Sequence, residues 1–123
     1  MPTVLIADDD DAFRFLLREV MAVQCQVIEA TNGRDAVTQA KDALPDLVIL
    51  DIDMPLLNGM QALALLRADE KTRAIPVLML TARGGLSDVE ALLQAGANDY
   101  VIKPLDIKKL RAKVARFIPS ARP

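Results

Sequence analysis

The chain has 123 residues, which is the usual size of a single domain and leaves little room for a second one. Hydrophobic residues make up 52% of it, so it can bury enough apolar surface to fold, unlike a disordered segment. The formal net charge of -2 argues against general nucleic-acid binding by the domain. Because the chain has one cysteine and no histidine, it has no internal disulfide, and a metal ion would need oxygen ligands.

The apolar runs and the N-terminus bear on the location of the domain. No apolar run approaches the roughly 20 residues that cross a bilayer, and the start MPTVLIADDD lacks the basic segment and cleavage site of a signal peptide. We therefore expect a cytoplasmic domain without membrane insertion. Residues 119–123 are expected to form a frayed tail.

The first half of the chain alternates short apolar runs with helical segments. The runs occupy residues 4–7, 27–28 and 47–50. They do not alternate with polar residues, which is typical of strands covered on both faces in a parallel sheet. Between the first two runs, helical spacing predicts one buried face made of Phe13, Leu16, Leu17, Val20 and Met21. Asp10 or Asp11 would cap this helix, and a second helix is expected over residues 33–42.

The second half continues the alternation. Asn58 and Gln61 have a spacing like that of a capping box, which predicts the start of a third helix. An apolar run at residues 77–80 then predicts a fourth strand. Ser87 and Glu90 also have capping-box spacing and predict the start of a fourth helix.

The last part of the chain completes the pattern. Gly96 is expected to end the fourth helix, and the run at residues 100–102 predicts a fifth strand. The final helix has an apolar stripe formed by Ile107, Leu110, Val114 and Phe117. Five alternations of strand and helix imply right-handed crossovers and an open, doubly wound α/β sheet.

Polar residues follow four of the predicted strands at the point where each strand ends. They are Asp8 and Asp9, Asp51, Thr81, and Lys103. In a doubly wound sheet these positions share one edge, and ligands bind there near the point where the strand order reverses. Two like charges about 4 Å apart cost on the order of 4 kcal/mol at an effective dielectric of 20, so the carboxylates need a positive partner. The sequence predicts Mg²⁺ in this role, supplemented by the ammonium of Lys103.

Four motifs resemble those of the receiver domains of two-component response regulators. They are IADDD at residues 6–10, DLVILDIDMP at 46–55, LTA at 80–82 and GANDYVIKP at 96–104. Their order and spacing extend the resemblance over nearly the entire chain. It implies one receiver domain over residues 1–123, with a flavodoxin-like sheet of five parallel strands in the order 2-1-3-4-5. The chain is similar to chemotaxis-type regulators that consist of a receiver alone, but a receiver excised from a transcription factor or cyclase fits equally well.

The resemblance implies a phosphorylation site at the predicted edge. Asp51 would accept a phosphoryl group, and Lys103 would contact that group. Asp8, Asp9, Asp51 and the backbone carbonyl of Asp53 would hold Mg²⁺. The donor would be the phosphohistidine of a histidine kinase or of a histidine phosphotransfer protein, so the domain would be a signalling switch rather than an enzyme.

The resemblance also implies a route from this site to an output partner. Thr81 would move toward the phosphoryl group, and Tyr100 would follow by changing rotamer. The output protein, whose identity the sequence does not reveal, would bind the face formed by the fourth helix, fifth strand and fifth helix. A cis peptide bond is expected between Lys103 and Pro104. Independently of the resemblance, Asp53 and Arg83 lie just past strand ends beside Asp51 and carry opposite charges, so we expect them together to set the lifetime of the phosphoryl group. The alternative is that Arg83 simply points into solvent.

The final helix also carries a row of cations, namely Lys108, Lys109, Arg111, Lys113 and Arg116. A solvated basic face is the simpler interpretation of this row, and contact with an acidic partner is the alternative.

Two other functions are compatible with parts of the pattern. Asp51 and Asp53 resemble the DxD motif of haloacid-dehalogenase-like phosphatases, but that motif normally ends the first strand, and Pro55 occupies the place of its usual Thr or Val. A flavodoxin-like FMN binder shares the fold but needs a phosphate-cradling loop and aromatic contacts. The chain has no Trp and only 3% aromatic residues, which disfavours the flavin interpretation.

Overall fold

The computed structural model describes residues 1–82 and 84–118, with the side chain of Leu86 excepted. Five strands and five helices alternate in it: β1 (Thr3–Ala7), α1 (Asp11–Met21), β2 (Gln26–Ala30), α2 (Gly33–Ala43), β3 (Leu47–Asp51), α3 (Gly59–Ala68), β4 (Val77–Thr81), α4 (Leu86–Gln94), β5 (Asp99–Ile102) and α5 (Ile107–Phe117). The predicted frayed tail and Arg83 lie outside the described residues. Within the described ranges, no helix combines the length and the apolarity needed to span a membrane.

The five strands form one parallel sheet in the order β2-β1-β3-β4-β5, which confirms the predicted topology. Successive residues of a strand point to opposite faces, so each apolar run supplies two cores. Leu5 and Leu50 pack beneath α2, α3 and α4, whereas Ile6 and Ile49 pack beneath α1 and α5. Burial on both faces is the reason that the central strands are apolar without alternation.

Two predicted helix starts are confirmed by their capping hydrogen bonds. The Asp10 carboxylate accepts from the backbone N–H groups of Ala12 and Phe13 at 2.9 and 3.1 Å. Asn58 and Gln61 form a full capping box, in which each side chain accepts from the other residue's backbone N–H. Both caps satisfy N–H groups that the first turn of a helix leaves without a partner.

The predicted capping box of Ser87 and Glu90 is wrong. Helix α4 begins at Leu86, and its N-cap is Gly85, which provides no side-chain hydrogen bond. Glycine is tolerated at an N-cap at little cost relative to serine, so the N-cap lies two residues before the predicted Ser87. Gly96 does follow the end of α4 as predicted, with a φ of 108° and with Ala97 N–H donating to the Leu92 carbonyl, which is a Schellman motif.

The predicted buried face of α1 is correct except at Leu16. Leu17 and Met21 are buried and Phe13 and Val20 are partly buried, but Leu16 is 39% exposed. Neighbouring residues of a helix lie about 100° apart around its axis, so Leu16 lies at the flank of a face centred near Leu17.

Candidate functional site

The predicted polar residues meet at the carboxyl edge of the sheet. Asp8 directly follows β1, Asp51 and Thr81 end β3 and β4, and Lys103 directly follows β5. The edge lies where the strand order reverses, because β1 has β2 on one side and β3 on the other. Asp8 is fully buried and Asp51 and Thr81 are each 4% exposed. Such burial is unusual for polar side chains and indicates a functional site rather than a chance cluster on the surface.

Three carboxylates converge at this edge. Asp8, Asp9 and Asp51 each place one oxygen within 4.8 Å of the others. Backbone N–H groups hold two of them, since Asp10 donates to Asp8 Oδ1 at 2.9 Å and Asp53 donates to Asp51 Oδ1 at 3.4 Å. Asp9 is exposed, so the cluster opens to solvent on its side.

Lys103 is the positive group that the carboxylates need. Its Nζ lies 3.1 Å from Asp8 Oδ2 and 3.4 Å from Asp51 Oδ1. Its backbone N–H donates to the Thr81 carbonyl at 2.8 Å, which continues the pairing of β4 and β5 beyond the end of β5. The peptide bond between Lys103 and Pro104 is cis, as predicted. Lys103 and its two acidic partners therefore come together as expected.

The charges in this cluster do not balance. Burial first, and the charge of Asp8 second, raise the pKa of Asp51 from 3.8 to about 6, although Lys103 and the Asp53 N–H act in the opposite direction. Burial lowers the pKa of Lys103, but its bonds with Asp8 and Asp51 outweigh this and raise the pKa overall. With one ammonium among three carboxylates, the site retains excess negative charge and favours a further cation.

A small divalent cation fits the donors that are present. All three side chains of the cluster offer carboxylate oxygen, which is the ligand type that Mg²⁺ prefers. The exposure of Asp9 leaves room for the water ligands that Mg²⁺ usually keeps. The donor set therefore meets the requirements of a magnesium site.

Tyr100 lies at the predicted output face, against α5. The Lys113 ammonium lies 4.1 Å from the centre of the Tyr100 ring and also donates to the Tyr100 backbone carbonyl. Asp99 pairs with Lys113 at 3.2 Å and with Arg116 at 3.0 Å. The interpretation of the cations of α5 as a solvated face is therefore wrong for Lys113, whose side chain is 26% exposed and pairs with Asp99, whereas Arg116 is 69% exposed and lies on a solvated face.

Two residues of α1 that support the site were not predicted to do so. From the sequence, Phe13 is predicted only as part of a buried face, yet its ring centre lies 4.5 Å from Lys103 Nζ. Arg14 donates to the backbone carbonyl of Asp8 at 2.9 Å and to Glu29 at 3.0 Å. Helical side chains lean toward the N-terminus of the helix, so residues in the first turn after Asp8 and Asp9 point back at the site. That direction is the signal from which their roles could be predicted.

Comparison with known families gives one result for nearly the whole chain. The model of the response regulator receiver domain matches residues 4–115. The transcriptional regulatory protein PrrA of Mycobacterium tuberculosis is 39% identical over 118 residues, which are 95% of this chain and 50% of PrrA. The regulator RpaA of Synechocystis is 38% identical over 119 residues, which are 96% of this chain and 49% of RpaA. The chain thus spans about half the length of these relatives.

Solved structures agree with this result. A putative response regulator from Chloroflexus aurantiacus superimposes with a TM-score of 0.89 at 36% identity and covers 98% of each chain. The receiver domain of the sensor histidine kinase PA1611 from Pseudomonas aeruginosa has a TM-score of 0.87 at 29% identity, covering 96% of this chain and 98% of its own. That structure has a magnesium ion coordinated in its active site cleft.

Proposed function

The chain belongs to the receiver domains of response regulators, and from this premise we propose that it is a switch controlled by phosphorylation of Asp51. The observation that carries the proposal is the position of Asp51, which is buried at the end of β3 and shares the Lys103 ammonium with Asp8. Membership of the family makes the domain a signalling module, and neither the phosphatase nor the flavin-binding interpretation is needed.

In the proposed reaction, an oxygen of the Asp51 carboxylate attacks the phosphorus of a phosphohistidine. The phosphorus–nitrogen bond breaks, and the imidazole nitrogen keeps its electron pair. With a pKa of about 6, Asp51 is mainly a carboxylate at pH 7 and is more basic than an ordinary aspartate. Lys103 can turn from Asp51 to an oxygen of the arriving group while its bond with Asp8 keeps the ammonium in place.

Receiver domains bind Mg²⁺ in the active site, and we assign its ligands here to Asp8, Asp9, Asp51 and the backbone carbonyl of Asp53. When bound, Mg²⁺ neutralises charge on the oxygens of the phosphoryl group. The metal ligands and the Lys103 ammonium would both act on the same phosphoryl group, because the three carboxylates converge beside Lys103.

The proposed donor is a histidine kinase or a histidine phosphotransfer protein. The chain contains no histidine, so the phosphohistidine must come from outside residues 1–123. We assign the encounter to the cytoplasm, where such donors present their phosphohistidine. We further propose that residues 1–123 form one receiver domain and that its output partner binds the face of α4, β5 and α5, where Tyr100 lies.

The direct test is to locate the phosphoryl group. Incubation with acetyl phosphate and Mg²⁺ is expected to add a single phosphoryl group, and borohydride reduction followed by peptide mass spectrometry should place it on Asp51. Asp51→Asn is expected to abolish the labelling. Asp53→Asn is the matched control and should still be labelled on Asp51, with a changed lifetime of the phosphoryl group, because the Mg²⁺ ligand proposed for Asp53 is its backbone carbonyl. Labelling of Asp8 or Asp9, or undiminished labelling of Asp51→Asn, would contradict the assignment.

The lifetime of the phosphoryl group is proposed to depend on Asp53 and Arg83. The exposed side chain of Asp53 lines, with Thr81, a cavity of about 220 Å³ beside the site, which offers water a route to phosphorus. Arg83 lies two residues beyond Thr81 and has the opposite charge to Asp53. A contact of about 1 kcal/mol has little effect on stability but changes a rate several-fold.

Arg83→Ala is therefore expected to hasten the loss of phosphate several-fold with little change in thermal stability. The measurement is phosphate release after the donor has been removed, with the Mg²⁺ concentration held constant. An unchanged or slower release would show that Arg83 does not shield the phosphoryl group.

A further inference from the structure

We propose that Phe13 is a positioning residue for Lys103: the face of its ring holds the lysine ammonium in the place from which it reaches both Asp8 and Asp51. The proposal rests on the proposed function of Asp51 as phosphoryl acceptor. It assigns a role in the site to a residue that otherwise counts only as part of the core beneath α1.

The contact has the geometry of a cation–π interaction. Lys103 Nζ lies 4.5 Å from the centre of the Phe13 ring, well inside the distance of about 6 Å over which such contacts act. The same Nζ is 3.1 Å from Asp8 Oδ2 and 3.4 Å from Asp51 Oδ1. Two carboxylates and one ring are therefore all within contact distance of the same ammonium.

The position of the ring is itself fixed by the fold. Phe13 lies in the first turn of α1, and its backbone N–H donates to the capping carboxylate of Asp10 at 3.1 Å. Its side chain is partly buried and packs against the core between the sheet, α1 and α5. Lys103, by contrast, has four rotatable carbon–carbon bonds and a side chain that is 26% exposed. The rigid partner thus limits the movement of the flexible one.

Phosphorylation is the step at which such a partner matters. When an oxygen of Asp51 becomes bonded to phosphorus, the carboxylate loses charge, and the contact of Lys103 with Asp51 weakens. The ammonium must then bind a phosphoryl oxygen and not swing into solvent. An aromatic face attracts the cation as a whole and contains no competing hydrogen-bond acceptor atom, so ammonium hydrogens stay available to Asp8 and to the phosphoryl group.

Packing alone would not require an aromatic residue at this position. Leucine would fill the apolar face of α1 and has a higher helix propensity than phenylalanine. If Phe13 acts only through packing, a ring of the same size with a weaker negative face should serve equally well. If it acts through the ammonium, the electron density of the ring must matter.

The experiment compares rings of similar shape and decreasing negative charge at the face. Phe13 is replaced by 4-fluorophenylalanine and by 3,4,5-trifluorophenylalanine, and also by leucine and tyrosine. The rate constant for phosphate incorporation from acetyl phosphate is measured at saturating Mg²⁺. We expect it to fall stepwise with fluorination, to fall by about 3- to 30-fold in Phe13→Leu, and to stay near the original value in Phe13→Tyr.

A second measurement reports on Lys103 without phosphorylation. The NMR order parameter of its ε-methylene group is expected to fall in Phe13→Leu and to be retained in Phe13→Tyr. Phe15→Leu is the matched control, because Phe15 lies on the same helix but is 63% exposed, and neither readout should change in it.

The two measurements separate this inference from the proposed function. If the original protein takes up no phosphate on Asp51, the proposed function fails, and the order parameter of Lys103 still decides whether Phe13 holds the ammonium. An order parameter unaffected by Phe13→Leu, or a phosphorylation rate that is flat across the fluorinated series, would overturn the role of Phe13.

Discussion

Replacing Thr81 with alanine is expected to leave Asp51 open to phosphorylation but to abolish the response of Tyr100. Thr81 ends β4, is 4% exposed, and immediately follows Leu80, which lies opposite Asp51 in the sheet. Phosphorylation shifts a two-state element only if some group interacts differently with the two states, and we propose that the Thr81 hydroxyl is this group. Without the Thr81 hydroxyl, we expect phosphorylation of Asp51 no longer to change the position of Tyr100 on β5.

The fluorescence of Tyr100 measures this response at one residue, because the chain contains a single Tyr and no Trp. Tyr100 rests 4.1 Å from the Lys113 ammonium, so a change of rotamer removes a nearby charge and alters the emission. Addition of acetyl phosphate and Mg²⁺ should change the emission in the original protein and in Thr81→Ser, which keeps the hydroxyl. A full change in a phosphorylated Thr81→Ala variant would show that the route does not pass through Thr81.

The sheet and the position of the site could be predicted from local signals. Four-residue apolar runs such as residues 47–50 are readily recognised, because burial on both faces leaves no place for a polar residue. Carboxyl ends of parallel strands meet at one edge, so the polar residues that follow each run had to converge. The start of α4 could not be predicted as well, because the tolerated N-cap Gly85 competes with the preferred Ser87, and only the tertiary arrangement decides between them.

Differences among similar residues of the site were also beyond the sequence. Asp8 and Asp9 are adjacent carboxylates, yet Asp8 is fully buried and bonds to Lys103, whereas Asp9 is exposed. Successive residues just past a strand point in different directions, and which of them turns inward depends on the neighbouring strands. In the same way, Phe13 and Phe15 are the same residue type on the same helix, but Phe13 contacts Lys103 whereas Phe15 is exposed to solvent.

Asp51 is expected to make the metal-free fold less stable as the pH rises from about 4 to about 6. Its pKa is raised from 3.8 to about 6, mainly by burial and then by Asp8. Below pH 4 the Asp51 carboxyl is protonated in both the folded and the unfolded state, so its ionisation does not lower the free energy of unfolding. As the pH rises, the unfolded state loses the proton first, and the folded state follows only near pH 6. Above pH 6 the free energy of unfolding is therefore lower by about 3 kcal/mol than it is below pH 4.

Asp51→Asn isolates this effect, because the amide stays neutral at every pH. In Mg²⁺-free buffer, the variant should gain stability relative to the original protein between pH 4 and pH 6, by up to about 3 kcal/mol, and the difference should then level off. Asp53→Asn is the control, since it removes a carboxylate that is exposed and lies two residues from Asp51.

Addition of Mg²⁺ should reduce the advantage of Asp51→Asn at pH 7. On the proposed ligand assignment, the cation binds the folded state of the original protein and offsets the repulsion between Asp51 and Asp8, whereas the variant offers one carboxylate fewer. Urea unfolding curves at a series of pH values, with and without Mg²⁺, measure both effects. If the stability difference is independent of pH in the absence of Mg²⁺, burial does not hold a proton on Asp51. If it is independent of Mg²⁺ at pH 7, Asp51 is not one of the ligands.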